Sequence, residues 1–203
     1  MTIEFASVFT AIQALASSEL PIRNCMESVI NTCEGMVSSD DWARFRGIDY
    51  DDDLRRLRRW LETAVAEDPP TTVIRGLWFG LSSRNEAGSL IGDMYVAGTR
   101  SYAPEDLALL WTAETSYFPA RRYSHSTSLA AIAENSNPGL GMDAEWPLSL
   151  CFAATAVREL CSPSLARLLG VHEGCLGVAV GYDEGDMFRV GELTRGGIVT
   201  SGR

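Results

Sequence analysis

Two runs of β-branched and aromatic residues near the middle of the chain predict a β-hairpin. The runs cover residues 73–81 and 90–98, and a Gly/Ser/Asn-rich turn separates them. Because strand side chains alternate between the two faces, Leu77 and Phe79 share one face of the first run while Trp78 lies on the other. Apolar residues on both faces are typical of a central strand. The first run is therefore predicted to be covered above and below by other parts of the chain.

The first third of the chain carries apolar residues at three- and four-residue spacing, which predicts helices. One helix covers residues 5–15, and a second begins at Pro21, because a proline fits the first turn of a helix. A third opens at the acidic residues 51–53, since carboxylates are stabilised at a helix N-terminus. The Asp-Pro-Pro sequence at residues 68–70 ends it. Residues 1–67 are thus predicted to form a helical section.

Residues 71–203 are predicted to form a mixed section that carries the sheet. A second hairpin is expected over residues 175–182 and 187–193, with an acidic turn between its strands. The sequence therefore predicts an α+β fold in a single domain, with a helical N-terminal section and an antiparallel sheet built from two β-hairpins with intervening helices. Further expectations are a strand, in preference to a short helix, at residues 107–111, a loop at 116–126, a short helix at 128–133, a longer helix that begins at Asp143 or Glu145 and continues to Leu160, and a loose tail at 195–203.

The charge of the chain restricts its partners. The 203 residues carry a formal net charge of −10 at pH 7, so nucleic acid and anionic membranes would repel the protein. A basic protein would be attracted, and its association would be fast and sensitive to salt. Ordinary solubility is the simpler explanation of the same charge. All 17 basic residues are arginine, which excludes a Schiff-base lysine and a P-loop lysine.

The sequence predicts a cytoplasmic location. The N-terminus lacks the basic segment of a signal peptide. The longest apolar run, residues 146–157, is too short to span a bilayer. Five cysteines, an odd number without a C-x-x-C pair, are typical of free thiols in a reducing compartment.

His125 lies in polar sequence surroundings, close to Arg121 and Arg122. A histidine can act as a general base, and arginines can bind a carboxylate or a phosphate. No acidic residue lies near it in sequence to orient the ring, and a lone histidine is more often structural. These three residues define an alternative anion or active site, and no catalytic residue is predicted.

No metal site and no cofactor are predicted. Asp49, Asp51 and Asp53 resemble the beginning of a calcium-binding loop, but Leu54 replaces the glycine that such a loop requires. Helix capping explains the carboxylates without an ion. A G-x-G-x-x-A pattern at residues 139–144 follows Asn-Pro and not a strand, so the context of a dinucleotide site is missing.

Two acidic segments supply the predicted partner-binding residues. Asp51 and Asp52 open the third helix, while Asp183, Glu184 and Asp186 form the turn of the second hairpin. Carboxylates at these positions would steer a basic partner. The alternative is that helix N-termini and hairpin turns favour acidic residues in any protein. The arginines that follow Asp53 are predicted to lie on a solvated face and to pair with neighbouring carboxylates.

A lysine-free, acidic chain of this size without a catalytic constellation resembles bacterial toxin-immunity proteins in overall character. That resemblance implies a cytosolic protein-binding inhibitor that occludes the active site of one cognate toxin domain. Acidic groups would steer the basic target, and exposed aromatic residues would anchor it. Two alternatives stay open. One is a small-molecule enzyme that uses His125, and the other is a structural or assembly subunit that forms a homo-oligomer through a sheet edge.

Overall fold

The computed structural model describes residues 2–86, 89–183 and 185–200, and of residues 83–86 and 89–91 it describes the backbone alone. Helices and a mostly antiparallel sheet confirm the predicted α+β fold. The helices are α1 (Phe5–Ala16), α2 (Ile22–Met36), α3 (Trp42–Arg46), α4 (Tyr50–Glu67), α5 (Thr127–Ser136), α6 (Met142–Leu160) and α7 (Pro163–Leu168). The strands are β1 (Gly76–Glu86), β2 (Ser89–Thr99), β3 (Thr115–Tyr117), β4 (Tyr123–His125), β5 (Leu176–Tyr182), β6 (Met187–Thr194) and β7 (Gly197–Thr200).

Both predicted hairpins are present, and they meet in the middle of one sheet. The strand order is β3-β2-β1-β5-β6-β7, and β4 also pairs with β2. Strands β1 and β5 run parallel, with Leu77 opposite Val178, so the prediction of a purely antiparallel sheet is corrected at this one pair. A parallel pair requires a long crossover connection. The chain between β2 and β5, which contains α5, α6 and α7, supplies it.

Three local predictions about the mixed section are wrong. Residues 107–111 do not form a strand; a 3₁₀ turn, Leu110–Ala113, occupies the end of this stretch. The expected loop at residues 116–126 contains β4 and most of β3, and the expected loose tail contains β7. These three strands have three or four residues each. A segment this short carries little periodicity of its own. Its strand conformation therefore depends on pairing with an open edge of the sheet.

Strand β1 lies at the centre of the sheet and is covered on both faces, as its sequence predicts. Leu77 and Phe79 belong to the large core that packs against the helices, while Trp78 belongs to a second, smaller core on the opposite face. The central helix of the large core is α6, in which every residue from 146 to 158 is buried. A helix that is apolar on all sides is surrounded by protein. The longest apolar run of the sequence is therefore explained.

One buried carboxylate joins the helical section to the rest of the chain. Asp53 lies in the first turn of α4, and its side chain is fully buried. It accepts hydrogen bonds from the Ser126 hydroxyl (2.5 Å), the Thr127 amide (3.2 Å) and the Ser128 amide (2.9 Å). These amides are at the N-terminus of α5, where backbone N–H groups lack helical acceptors. Asp53 was predicted to stabilise its own helix, and the structure shows that it also stabilises the start of a second one.

Among the described residues, no helix combines the length and the apolar character needed to cross a bilayer.

The acidic start of α4 is as predicted, and the N-cap residue is Asp49, whose side chain accepts the amide of Asp52. Helix α4 ends at Glu67, directly before the Asp-Pro-Pro sequence. The sheet begins at Gly76, five residues later than the predicted boundary at residue 71.

Candidate functional site

The face of the sheet opposite α6, here called the outer face, is covered by residues 100–113. Trp78 and Ala179 of the sheet pack there against Leu109 and Trp111 of the covering segment. Several of the residues that face this side in β1 and β5 are glycines. Because glycine has no side chain, these positions leave space for aromatic rings. An ideal Cβ atom at Gly80 would lie 2.0 Å from the ring of Tyr95, for example. On the outer face, aromatic rings therefore lie close to the backbone at these glycines.

The covering segment is held in an unusual backbone conformation. Leu109 has φ 54° and ψ 32°, the left-handed region, which bulky side chains rarely adopt. The carboxylate of Asp106 accepts the amides of Ala108 (3.0 Å) and Leu110 (2.6 Å) on either side of it. This geometry buries Leu109 against Trp78 and leaves Leu110 73% exposed. A strained residue of this kind persists only where its surroundings determine it, and such residues cluster at binding sites.

Three polar groups meet above the middle of the outer face. The indole N–H of Trp78 donates to the Tyr95 hydroxyl (2.9 Å) and lies 3.4 Å from Oδ1 of Asp183. The Tyr95 hydroxyl in turn donates to the same Oδ1 atom. Burial, and then the hydrogen bond to Asp183, raise the pKa of Tyr95 well above its usual value. Tyr95 therefore stays protonated and holds the carboxylate in one orientation.

These three residues form one wall of a cleft of about 310 Å³, here called the outer-face cleft. Its opposite wall is the covering segment with Leu109 and Leu110. Ligand sites in proteins span roughly 300–1,000 Å³, so this cleft suits a single side chain or a small molecule. Asp183 is the one charged residue among the described residues that line it. The lining residues are Trp78, Tyr95, Ala108, Leu109, Leu110, Thr112, Ala113, Thr115, Phe118, Asp183 and Met187.

Exposed apolar side chains lie in and next to the cleft. Leu110 and Phe118 line it, the Tyr123 ring is tilted against the ring of Tyr95 with centroids 5.4 Å apart, and Leu107 lies three residues before Leu110 in the covering segment. Their exposed fractions are 73%, 49%, 50% and 90% for Leu110, Phe118, Tyr123 and Leu107. These four side chains are here called the outer-face patch. Clustered exposed apolar side chains mark interaction sites, whereas isolated ones are ordinary.

A larger cavity of about 440 Å³ lies between the end of α1 and β7. Its one lining arginine, Arg158, is buried and donates to the backbone carbonyls of Leu15, Ser18 and Leu20. The guanidinium therefore holds the chain at the C-terminal end of α1, where helix carbonyls lack partners. We regard this cavity as structural and the outer-face cleft as the candidate site.

The predicted acidic residues of α4 lie in the helical section and form ion pairs there. Asp51 pairs with Arg23 (3.0 Å), and Asp52 pairs with Arg55 (3.0 Å) and Arg56 (2.7 Å). The prediction that arginines on this helix pair with neighbouring carboxylates is confirmed for Asp52. Exposed pairs of this kind contribute roughly 0–1 kcal/mol each. Their main consequence is that the negative charge of Asp51 and Asp52 is partly neutralised within the protein.

The predicted acidic residues of the second hairpin differ from one another in their surroundings. Asp183 faces the outer-face cleft, as described above. Asp186 accepts the indole N–H of Trp146 at 2.8 Å, so it is tied to the first part of α6. Glu184 lies outside the described residues. The turn is thus not a uniform acidic projection, because the two described carboxylates each accept an indole N–H.

The alternative site residues contact three different groups. Arg121 pairs with Glu67 of α4 at 3.3 Å. The guanidinium of Arg122 lies over the rings of Phe118 (5.6 Å) and Tyr123 (5.1 Å). His125 lies in β4 opposite Asp93 of β2, with 3.8 Å between Nδ1 and Oδ1. Strand pairing thus supplies the carboxylate that the local sequence lacks.

The cysteines are free thiols, and Cys25, Cys33, Cys151 and Cys161 are buried. Burial raises the pKa of the Cys33 thiol to about 12, with a further contribution from Asp143. Such thiols are poor nucleophiles. Within the described part of the chain, no group of three or more potential ligand residues has a geometry that could hold a metal ion.

Sequence reasoning missed Tyr95, Leu110 and Phe118 as site residues. Two signals were present in the sequence. Glycines alternate with large residues in β1, which indicates that something packs closely on one face. The apolar residues around Leu110 follow a Pro-Glu-Asp turn, and an apolar segment at a turn is a candidate for exposure.

Comparison with protein-family models, with curated proteins and with solved structures found no match. The class that the structure defines is therefore an α+β protein with an aromatic cleft on the outer face of its sheet.

Proposed function

We propose that the protein is a protein-binding inhibitor of the immunity type, which binds one basic cognate toxin domain and occludes its active site. The proposed binding surface is the outer-face patch around the outer-face cleft. The observation that supports this proposal most directly is that exposed Leu110 and Phe118 line the same cleft as the carboxylate of Asp183, with exposed Tyr123 against Tyr95 next to them. A central apolar and aromatic cluster with polar groups around it is typical of the hot spots of protein interfaces.

The charge of the chain supports a basic partner. The net charge of −10 would attract a cationic domain over long distances. Asp51 and Asp52 would contribute to this field, although their ion pairs reduce their share. Binding energy would come from the patch, because apolar and aromatic contacts at the centre of an interface contribute more than rim charges.

The test begins with a partner captured from the native host by the tagged protein at low salt and then purified by itself. Replacing Leu110 by glutamate is expected to weaken the complex by about 30-fold, which corresponds to the roughly 2 kcal/mol of a hot-spot residue. Titration calorimetry measures the affinity. The partner's own activity, assayed with increasing amounts of the protein, measures inhibition.

Met142→Glu is the matched control, because Met142 is 59% exposed and lies in the first turn of α6. This variant is expected to bind as tightly as the natural protein. A partner whose activity is unaffected by saturating protein would contradict the proposal. So would light scattering that shows a homodimer which Leu110→Glu dissociates, since the chain would then be an assembly subunit.

The pairing of His125 with Asp93 favours a second candidate, an enzyme that acts on a small anion. A carboxylate beside an imidazole can orient the ring for proton transfer. For this candidate, millimolar inorganic phosphate is expected to shift the imidazole NMR signals of His125 and not those of His172, the other histidine of the chain. Signals of both histidines that stay unchanged would eliminate the second candidate.

A further inference from the structure

The outer-face cleft has the chemistry of a site for a cation with an apolar stem. Aromatic and aliphatic side chains supply most of its walls, and Asp183 supplies a single negative charge. An anionic ligand, or a neutral one without a hydrogen-bond donor, would remove water from this carboxylate without pairing it, which is unfavourable. A cation would pair with it and would also be attracted by the faces of aromatic rings.

The carboxylate of Asp183 is prepared for such a ligand. The hydrogen bonds that it accepts within the described chain go to Oδ1, from Tyr95 and Trp78. A carboxylate can accept about four hydrogen bonds, two on each oxygen. Oδ2 therefore has capacity for an incoming donor, while the bonds to Oδ1 fix the plane of the group.

The protein already places one guanidinium group on aromatic rings beside the cleft. The side chain of Arg122 lies over Phe118 and Tyr123, and Phe118 also lines the cleft. A guanidinium is planar and carries five N–H donors, so it can stack on rings and at the same time donate to Oδ2 of Asp183. Its aliphatic stem can lie along Leu109 and Leu110, since such stems readily cover apolar surface.

We infer that the outer-face cleft binds the side chain of one arginine of the protein partner, with the guanidinium donating to Oδ2 of Asp183 beside Trp78 and Tyr95. This inference rests on the proposed function for the source of the arginine. The partner's arginine enters between the covering segment and the sheet. The outer-face patch then surrounds that side chain and excludes water from it.

The test uses the isolated protein and a small probe, N-acetyl-arginine methylamide, with the corresponding citrulline compound as its neutral isostere. The arginine probe is expected to shift the indole NMR signal of Trp78 at millimolar concentrations. The citrulline probe is expected to need a concentration at least about tenfold higher. The Trp78 signal is identified by its absence in Trp78→Phe.

Asp183→Asn is expected to weaken binding of the arginine probe at least about tenfold, because it removes the charge and keeps an oxygen that can accept from Tyr95. Asp186→Asn is the matched control and is expected to leave probe binding unchanged, since Asp186 belongs to the same turn and accepts the indole of Trp146 instead. If Asp183→Asn fails to fold, the comparison of the two probes decides alone.

The inference would be overturned if both probes shifted the Trp78 indole signal equally at the same concentration. It would also be overturned if the Asp183→Asn and Asp186→Asn variants bound the arginine probe equally well. The proposed function fails independently, because it is tested on the purified partner with Leu110→Glu. A different result is that Leu110→Glu weakens the complex while the cleft does not bind the arginine probe. That result would support the proposed function and contradict only the arginine site.

Discussion

Replacement of Asp53 by alanine is expected to lower the free energy of unfolding by about 2–4 kcal/mol. The side chain is fully buried, and its removal leaves the Ser126 hydroxyl and the amides of Thr127 and Ser128 without their acceptor. Unsatisfied buried donors cost roughly 1–3 kcal/mol each, and water that enters the space recovers part of the loss. For a chain of this length, each kcal/mol corresponds to a decrease of about 2–4 °C in the melting temperature.

Asp52→Ala is the control for this experiment. Asp52 is the preceding residue of α4, but its side chain is 35% exposed and pairs with Arg55 and Arg56 at the surface. Its replacement is expected to cost at most about 1 kcal/mol. Urea denaturation followed by circular dichroism measures both variants. Equal losses would show that Asp53 contributes only as one more acidic residue at the start of α4, and that the contact with α5 adds nothing.

The dual role of Asp53 illustrates what the sequence could predict and what it could not. Three aspartates before an apolar helical pattern predict a helix start, and that prediction is confirmed at residue 50. Which of the three is buried depends on where α5 lies, 74 residues further along the chain. Local pattern carries no information on that contact, because it is made only when the chain has folded.

The sheet also contains parts that the sequence could predict and parts that it could not. The long strands of both hairpins follow from alternation and from β-branched content, which are properties of each segment. The parallel contact between β1 and β5 and the short strands β3, β4 and β7 depend on which edges are open after the hairpins form. Residues 107–111 are apolar enough for either a strand or a short helix, but the Asp106 carboxylate accepts the amides of Ala108 and Leu110 and holds this stretch in a turn. Side chains that bind nearby backbone groups compete with regular structure in this manner.

The candidate site was only partly predictable. Trp78 was predicted to lie inside, and it does, at 4% exposed. Its indole N–H nevertheless meets Tyr95 and Asp183 at the cleft, so the same residue serves the core and the candidate site. Asp183 was predicted to steer a basic partner from the acidic turn of the second hairpin. The structure gives it a different significance, because its position opposite Tyr95 depends on the order of strands β2, β1 and β5.

The prediction that connects the fold most closely with the site concerns Gly80. Gly80→Ala is expected to lower the free energy of unfolding by about 1–3 kcal/mol, the usual cost of adding a methyl group where no space exists. The new Cβ atom would lie 2.0 Å from the ring of Tyr95, so the ring must move. The side of the ring away from the sheet is the outer-face cleft, and a displaced ring would fill it.

Displacement of Tyr95 would also break its hydrogen bonds with Trp78 and Asp183. Gly80→Ala is therefore expected to lose both stability and binding of the arginine probe, measured by urea denaturation and by the Trp78 indole signal. Gly35→Ala is the matched control, since Gly35 lies in α2 and a methyl group added there would have no neighbouring atom within 4 Å. Alanine is favoured over glycine in a helix, and Gly35 is the next-to-last residue of α2, so this variant is expected to lose no stability and to keep probe binding. A Gly80→Ala protein that is as stable as the natural one and binds the probe normally would mean that the Tyr95 ring does not lie flat on Gly80, and the cleft would then lack the wall on which the arginine site depends.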